Sequence, residues 1–147
     1  MAISQALLPN LSHEYSNNNI KKIKKRINQA ISISLIIGFI STTILITKPK
    51  LLLNFLYNTD SGINYIKFLA PICIFQYIES ILSTSLDSFG KSKDNLYASI
   101  LSTGVRTISL IIFSFLNFKI WSLIFSISLN IIITTFYLIK KVRQYLT

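Results

Sequence analysis

Residues 120–139 read IWSLIFSISLNIIITTFYLI, 20 residues without a charge. At a rise of about 1.5 Å per residue, a helix of that length spans about 30 Å, the thickness of a bilayer's hydrocarbon core. Ile131, Ile132 and Ile133 point in three directions around such a helix, as do Leu110, Ile111, Ile112 and Phe113 in an earlier segment. A soluble four-helix bundle keeps its apolar residues in one stripe with charges opposite, so this pattern argues against one. Buried strands are equally excluded, because uninterrupted runs this long exceed strand lengths.

Three more stretches follow the same logic. Residues 30–47 are 18 in a row without a charge, residues 95–118 are interrupted only by Arg106, and residues 63–86 only by Lys67 and Glu79. The expected fold is therefore all-α: a polytopic membrane protein with four transmembrane helices, preceded by the tail of another helix. Composition agrees. The chain has 147 residues, 51% apolar and 14% charged, with 28 Ile and 20 Leu, too much aliphatic surface for a small soluble globule with so few charges. A disulfide scaffold is excluded because Cys73 has no second cysteine, and His13 and Cys73 are too few to hold a metal. With five scattered acids and no Gly-rich phosphate loop, neither a catalytic site nor a cofactor is expected.

The 15 cations outnumber the acids by ten, and their places set the orientation. Lys21, Lys22, Lys24, Lys25 and Arg26 precede the first span, Lys91 and Lys93 lie between the second and third, and Lys140, Lys141 and Arg143 follow the fourth. With four spans these ten fall on one side, against Lys48, Lys50 and Lys119 on the other, so the positive-inside rule puts the ten in the cytoplasm. A basic run such as residues 21–26 also serves nucleic-acid binding or nuclear targeting. Beside a span it reads as a topogenic loop attracted to anionic lipid, and no nucleic-acid partner is expected.

The remaining segments divide the single lobe. Residues 1–9 are too short to span and lack a basic n-region, and they look like the end of a helix whose beginning is absent. Pro9 and the polar residues after it are expected to end that helix, making residues 10–29 a cytoplasmic basic linker. Pro49 breaks the first span, and the Leu-rich stretch that follows reads as a short interfacial helix within an outer segment 48–62, with Asn54 and Tyr57 at headgroup level. Asp60, Ser61 and Gly62 form a turn, residues 87–94 a short cytoplasmic loop through Gly90, and residues 140–147 a cytoplasmic tail.

The order of these features resembles a family. Leu7-Leu8-Pro9, a polar linker with Glu14-Tyr15, a basic stretch ending Arg26-Ile27-Asn28-Gln29-Ala30, Leu69-Ala70-Pro71 inside a span and Phe89-Gly90-Lys91 in the next turn follow one another across nearly the whole chain. They resemble the second half of the stage V sporulation protein B family of polysaccharide-biosynthesis flippases. That family lies in the multidrug/oligosaccharidyl-lipid/polysaccharide exporter superfamily, with the lipid II flippase MurJ. The resemblance implies one lobe of a two-lobe carrier in the bacterial cytoplasmic membrane that moves lipid-linked saccharides by alternating access. It implies membrane lipid and a lipid-linked saccharide as partners once the other lobe is supplied, since one lobe cannot alternate against an absent partner. A sporulation role enters only through this likeness, and Asp87 departs from the small or amide residue that relatives tend to carry. A self-standing small membrane protein, working as an oligomer or as an accessory subunit of cell-envelope machinery, is the other reading. An intramembrane enzyme using Glu79 lacks a second catalytic group.

Charge at depth is costly, about 3 kcal/mol on insertion scales, so Glu79 and Arg106 are the candidate site residues. Glu79 is seven residues from the inner end of its span and Arg106 eleven from the same end, depths of about 10 and 16 Å. Long side chains on neighbouring helices bridge such a gap, so the two are expected to pair. As a cavity pair they would meet an anionic pyrophosphate headgroup or a coupling ion; as a structural pair they would fix the second span to the third. Pro71 is a candidate hinge, Lys67 a snorkelling residue, and Gly38 and Gly104 are expected to let helices approach closely.

Overall fold

The structure is a computed structural model that describes residues 2–58 and 62–146, apart from the side chains of residues 2–4, 6, 52, 56 and 57. Six helices follow in order: α1 (Ala2–Ser16), α2 (Ile20–Thr47), α3 (Pro49–Tyr57), α4 (Ile63–Ser88), α5 (Ser92–Phe115) and α6 (Ile120–Leu146). No strand occurs among the described residues. α2, α4, α5 and α6 are each long and apolar enough to cross a membrane.

Their surfaces are arranged for lipid. Ile36, Phe39 and Ile40 on α2, Ile108 and Phe115 on α5 and Phe136 on α6 are exposed, while Ser34, Thr42, Ser85, Ser122, Ser126, Thr134 and Thr135 are buried between helices. A soluble bundle has the opposite pattern. Where lipid tails solvate aliphatic side chains as well as a protein core does, helices associate through small residues and short hydrogen bonds. Gly38 of α2 follows this rule: a Cβ there would lie 3.1 Å from the Tyr77 ring of α4. Close by, Thr42 Oγ1 donates to the Ala70 carbonyl at 3.1 Å. Gly104 does not, since a Cβ there would meet nothing within 4 Å.

α4 is the central helix, packed against the other five, and α6 packs on both α4 and α5. At the end opposite the cation-rich one, Trp121 and Phe125 meet Tyr65, Phe68, Phe113 and Phe118 edge-on or tilted, with centroids 5.2 to 6.2 Å apart. At the basic end the aliphatic core gathers Leu11, Ile23, Ile27, Leu82, Leu86, Phe89, Ala98, Leu138, Val142 and Leu146, drawn from α1, α2, α4, α5, α6 and the α4–α5 turn.

Several boundaries differ from the sequence reading. α1 runs through Pro9 to Ser16. Proline removes one backbone donor, and here that loss falls where the carbonyl left over belongs to the helix's first turns. Packing outweighs it, because Leu11 is fully buried and Tyr15 stacks on Phe89 at 4.7 Å. The basic run is likewise helix and not linker. Ile23, Ile27 and Ala30 recur on one face of α2 and are buried, while Lys21, Lys22, Lys24 and Lys25 are exposed.

The expected loop 87–94 shrinks to three residues between α4 and α5, with Gly90 at φ +69° making the turn. α5 stops at Phe115, earlier than expected, as Asn117 and Lys119 adopt left-handed φ values of 58° and 50°. α6 carries the helix on through the basic tail. α3 matches the expected short Leu-rich helix, with Pro49 in its first turn and Asn58 left-handed at its end. Asp60 and Ser61 of the expected turn, and the side chain of Tyr57, lie outside the described residues.

A polar cleft between α4, α5 and α6

The α4–α5 turn is bolted at its base. Ser83 Oγ donates to Asn95 Oδ1 at 2.8 Å, and Asn95 Nδ2 donates to Asp87 Oδ2 at 2.8 Å. Beyond that base α5 follows α6 instead of α4. Asp94 accepts hydrogen bonds from Lys141, at 3.0 Å, and from the Tyr145 hydroxyl. Ser102 Oγ donates to Asn130 Oδ1 at 2.7 Å, and Ser122 Oγ to the Phe113 carbonyl at 2.9 Å. These contacts hold α5 to α6 along its whole length, so α4 and α5 part above their turn.

A cleft of about 290 Å³ opens where they part. Glu79 and Ser83 of α4, Asn95, Ser99, Ser102 and Thr103 of α5, and Thr134 of α6 line it. Asn130 Oδ1 accepts from Thr134 Oγ1 at 3.2 Å as well as from Ser102, which fixes two hydroxyls on its wall. Glu79 is half-buried on the opposite wall. A carboxylate facing hydroxyl and amide groups across such a space can take up a proton or a cation, or accept from a ligand's hydroxyls.

Arg106 belongs to the same face of α5. Positions 99, 102, 103 and 106 share one side of a helix, so the guanidinium lies one turn beyond the cleft. The sequence pairing of Glu79 with Arg106 is corrected here. Arg106 is exposed, and the ion pairs among the described residues are elsewhere: Glu14 with Arg26 at 3.5 Å and Lys22 at 4.0 Å, and Asp94 with Lys141. Depth along two helices matched, but the cleft separates them. Pro71 sits on the exposed side of α4 without interrupting the helix, and Lys67 is exposed.

Two groups of residues were missed from sequence. One is Asn95, Ser99, Ser102 and Thr103, whose spacing with Arg106 marks a polar stripe in an otherwise apolar helix. The other is Glu14, buried between α1 and α2, where it accepts from Asn19 Nδ2 at 3.3 Å and holds Arg26 and Lys22. That gives part of the basic run an internal partner. No group of His, Cys, Asp and Glu among the described residues could hold a metal ion.

Comparison with known proteins places this architecture. The MatE family matches residues 1–113, from the start of α1 to within the last turn of α5. The chain belongs to the MatE family. Among curated proteins, the MatE chain is similar to stage V sporulation protein B of Bacillus subtilis (strain 168), with 24% identity over 106 residues. That alignment covers 72% of this chain and 20% of the relative, so the MatE chain spans about a fifth of the length of the curated protein it matches. No solved structure matches it. The family membership makes it a multi-pass membrane protein of a transporter family within the multidrug/oligosaccharidyl-lipid/polysaccharide exporter superfamily. The sequence resemblance to this group is thereby upheld.

Proposed function

We propose that the chain is one lobe of a flippase that moves lipid-linked saccharides across the bacterial cytoplasmic membrane by alternating access, with its cation-rich end in the cytoplasm. The observation that carries this reading is the polar cleft: a carboxylate, an amide and five hydroxyls gathered between three membrane-spanning helices, with Arg106 one turn along α5. An ionisable group such as Glu79 is costly to keep at such depth and marks a path or a binding site by default. On this reading Arg106 meets the pyrophosphate of the carrier lipid, and Glu79 with the hydroxyls meets a coupling ion or the saccharide's hydroxyls. The likeness to stage V sporulation protein B supports a role in sporulation where the host forms spores.

The test uses proteoliposomes that contain the chain together with the partner lobe that co-purifies with it from its native membrane, and a polyprenyl pyrophosphate that carries a fluorescent saccharide. A membrane-impermeant quencher is expected to reach probe that was sealed on the inner leaflet, and Arg106→Gln or Glu79→Gln to slow that movement about tenfold or more. If the chain reconstituted with its partner lobe leaves the inner probe protected, or if no partner lobe co-purifies with it, the reading fails. Orientation has its own check. In a Cys73→Ser background, single cysteines replacing Lys24 and Lys119 are expected to react with an impermeant maleimide from opposite faces; reaction from one face removes the four-span topology.

A further inference from the structure

At the end of the lobe opposite the cation-rich one, a second pocket of about 400 Å³ opens between the first turns of α4 and α6. Gly62, Ile63, Asn64, Tyr65 and Trp121 line it, and its volume falls in the range of small-molecule sites. Gly62 keeps it open. That residue turns at φ +104°, and a Cβ there would lie 3.7 Å from the Tyr65 ring and cover part of it. Tyr65 and Trp121 are half-buried and meet edge to face at 5.2 Å, so each ring is steadied by the other. Phe68 and Phe125 also hold Trp121, at 5.6 and 5.8 Å.

The polar atoms of this pocket are unused. The Trp121 Nε1–H, the Tyr65 hydroxyl and the Asn64 amide have no hydrogen-bond partner among the described residues, although such groups on buried rings ordinarily find one. No lining residue carries a charge, so a phosphate-bearing headgroup meets no counter-charge there. A sugar ring fits this surface better. It has an apolar face whose partly positive C–H hydrogens rest on the negative face of an aromatic ring, and a rim of hydroxyls that both donate and accept. Trp121 supplies a donor, Asn64 a donor and an acceptor, and Tyr65 either.

We infer that this pocket is a saccharide subsite at the cation-poor end of the lobe, where a sugar ring stacks on Trp121 and Tyr65 and its hydroxyls bond Asn64, the indole N–H and the phenol. The inference rests on the flippase reading, since it takes its occupant from the saccharide that reading moves. Position agrees. Tyr65, Phe68, Ile72 and Glu79 recur on one face of α4, so Tyr65 stands on the side of the helix that bears the cleft, about 21 Å farther along at 14 residues of rise. All five lining residues belong to this chain, and none of them contributes to the cleft.

Trp121 is the single tryptophan of the chain, so its emission reports this pocket alone. The experiment titrates the full chain, in lipid vesicles or a sugar-free zwitterionic detergent, with maltose and with chitobiose, and with sorbitol as a control that carries hydroxyls but no ring face. Stacking reads a ring face more than a particular set of hydroxyls, so a saturable change in emission is expected with at least one disaccharide and none with sorbitol. Saturation transfer from protein to the sugar's ring protons is the second readout and needs no tryptophan. By it, Trp121→Leu is expected to weaken binding about tenfold or more, and Asn64→Ala about fivefold. Asn64 is exposed, so its variant leaves the helix packing intact and keeps the test valid should Trp121→Leu fail to fold. The proposal is overturned if neither disaccharide gives a saturable response, if sorbitol gives the same one, or if Asn64→Ala binds as wild type does. Trp121 and Tyr65 acting only as anchors at headgroup level would give the first of these results. Sugar binding at Trp121 without saccharide movement would sink the flippase reading and leave the pocket, and movement with an unresponsive Trp121 would do the opposite.

Discussion

Leu86→Ala is expected to lower the unfolding free energy by about 3 kcal/mol, the usual scale for emptying a fully buried leucine site. Leu86 is 0% exposed and stands at the centre of the basic-end core, among side chains from α1, α2, α4 and α6. Two terms add there. The removed methyl groups lose their contacts, and helices fixed by Phe89 stacking on one side and the Asp94 cluster on the other cannot collapse into the void. Ile33→Ala is the matched control: Ile33 is 50% exposed toward lipid, where acyl chains fill whatever space the truncation leaves, so its cost is expected to stay within about 0.5 kcal/mol. Reversible unfolding in mixed micelles with rising sodium dodecyl sulfate measures both. Equal losses at the two positions would mean that the basic-end cluster is not the core of the lobe.

The same core explains what sequence could and could not disclose. The four spans were legible because a charge-free run is a local property, readable from residues 30–47 or 120–139 alone. The continuation of α1 past Pro9 was not, because the contacts that hold it, Leu11 in the core and Tyr15 on Phe89, join residues far apart in the chain. Local propensity argued for a break and tertiary packing overrode it. The basic run was read by its charge, which hid the period of Ile23, Ile27 and Ala30 beneath it.

The candidate site shows the limit more sharply. Counting residues gave the depths of Glu79 and Arg106, but pairing also depends on the angle each takes around its helix and on which helix α5 follows. Asn130 is one of several residues that settle the second point. It accepts from Ser102 and draws α5 toward α6, and a single asparagine in an apolar run gives no sign of which neighbour it will bond. Glu79 stands out in sequence as a charge within a span and lines the cleft, whereas the cleft itself required the packing of three helices.

At the α2–α4 contact the chain depends on a missing side chain. Gly38→Ala places a Cβ 3.1 Å from Tyr77 Cδ2, a few tenths of an ångström too near, and the half-buried ring can tilt to accept it. The substitution also gains about 1 kcal/mol of helix propensity, so its net effect is expected to be near zero. Gly38→Leu has no such escape. Its branched end must occupy the space of the Tyr77 ring, which pushes α2 away from α4 and breaks the Thr42 bond to the Ala70 carbonyl one turn along. Overpacking of this kind costs about 3 kcal/mol, and the loss is expected in the same micelle titration, with a maleimide-reactive cysteine at Thr42 becoming accessible as the helices part. Tyr77→Ala in the Gly38→Leu chain frees the ring's volume and is expected to restore most of the stability, because the added leucine then fills the space the ring left. If the double variant is no more stable than Gly38→Leu alone, the clash lies elsewhere and the close approach of α2 to α4 at Gly38 is wrong.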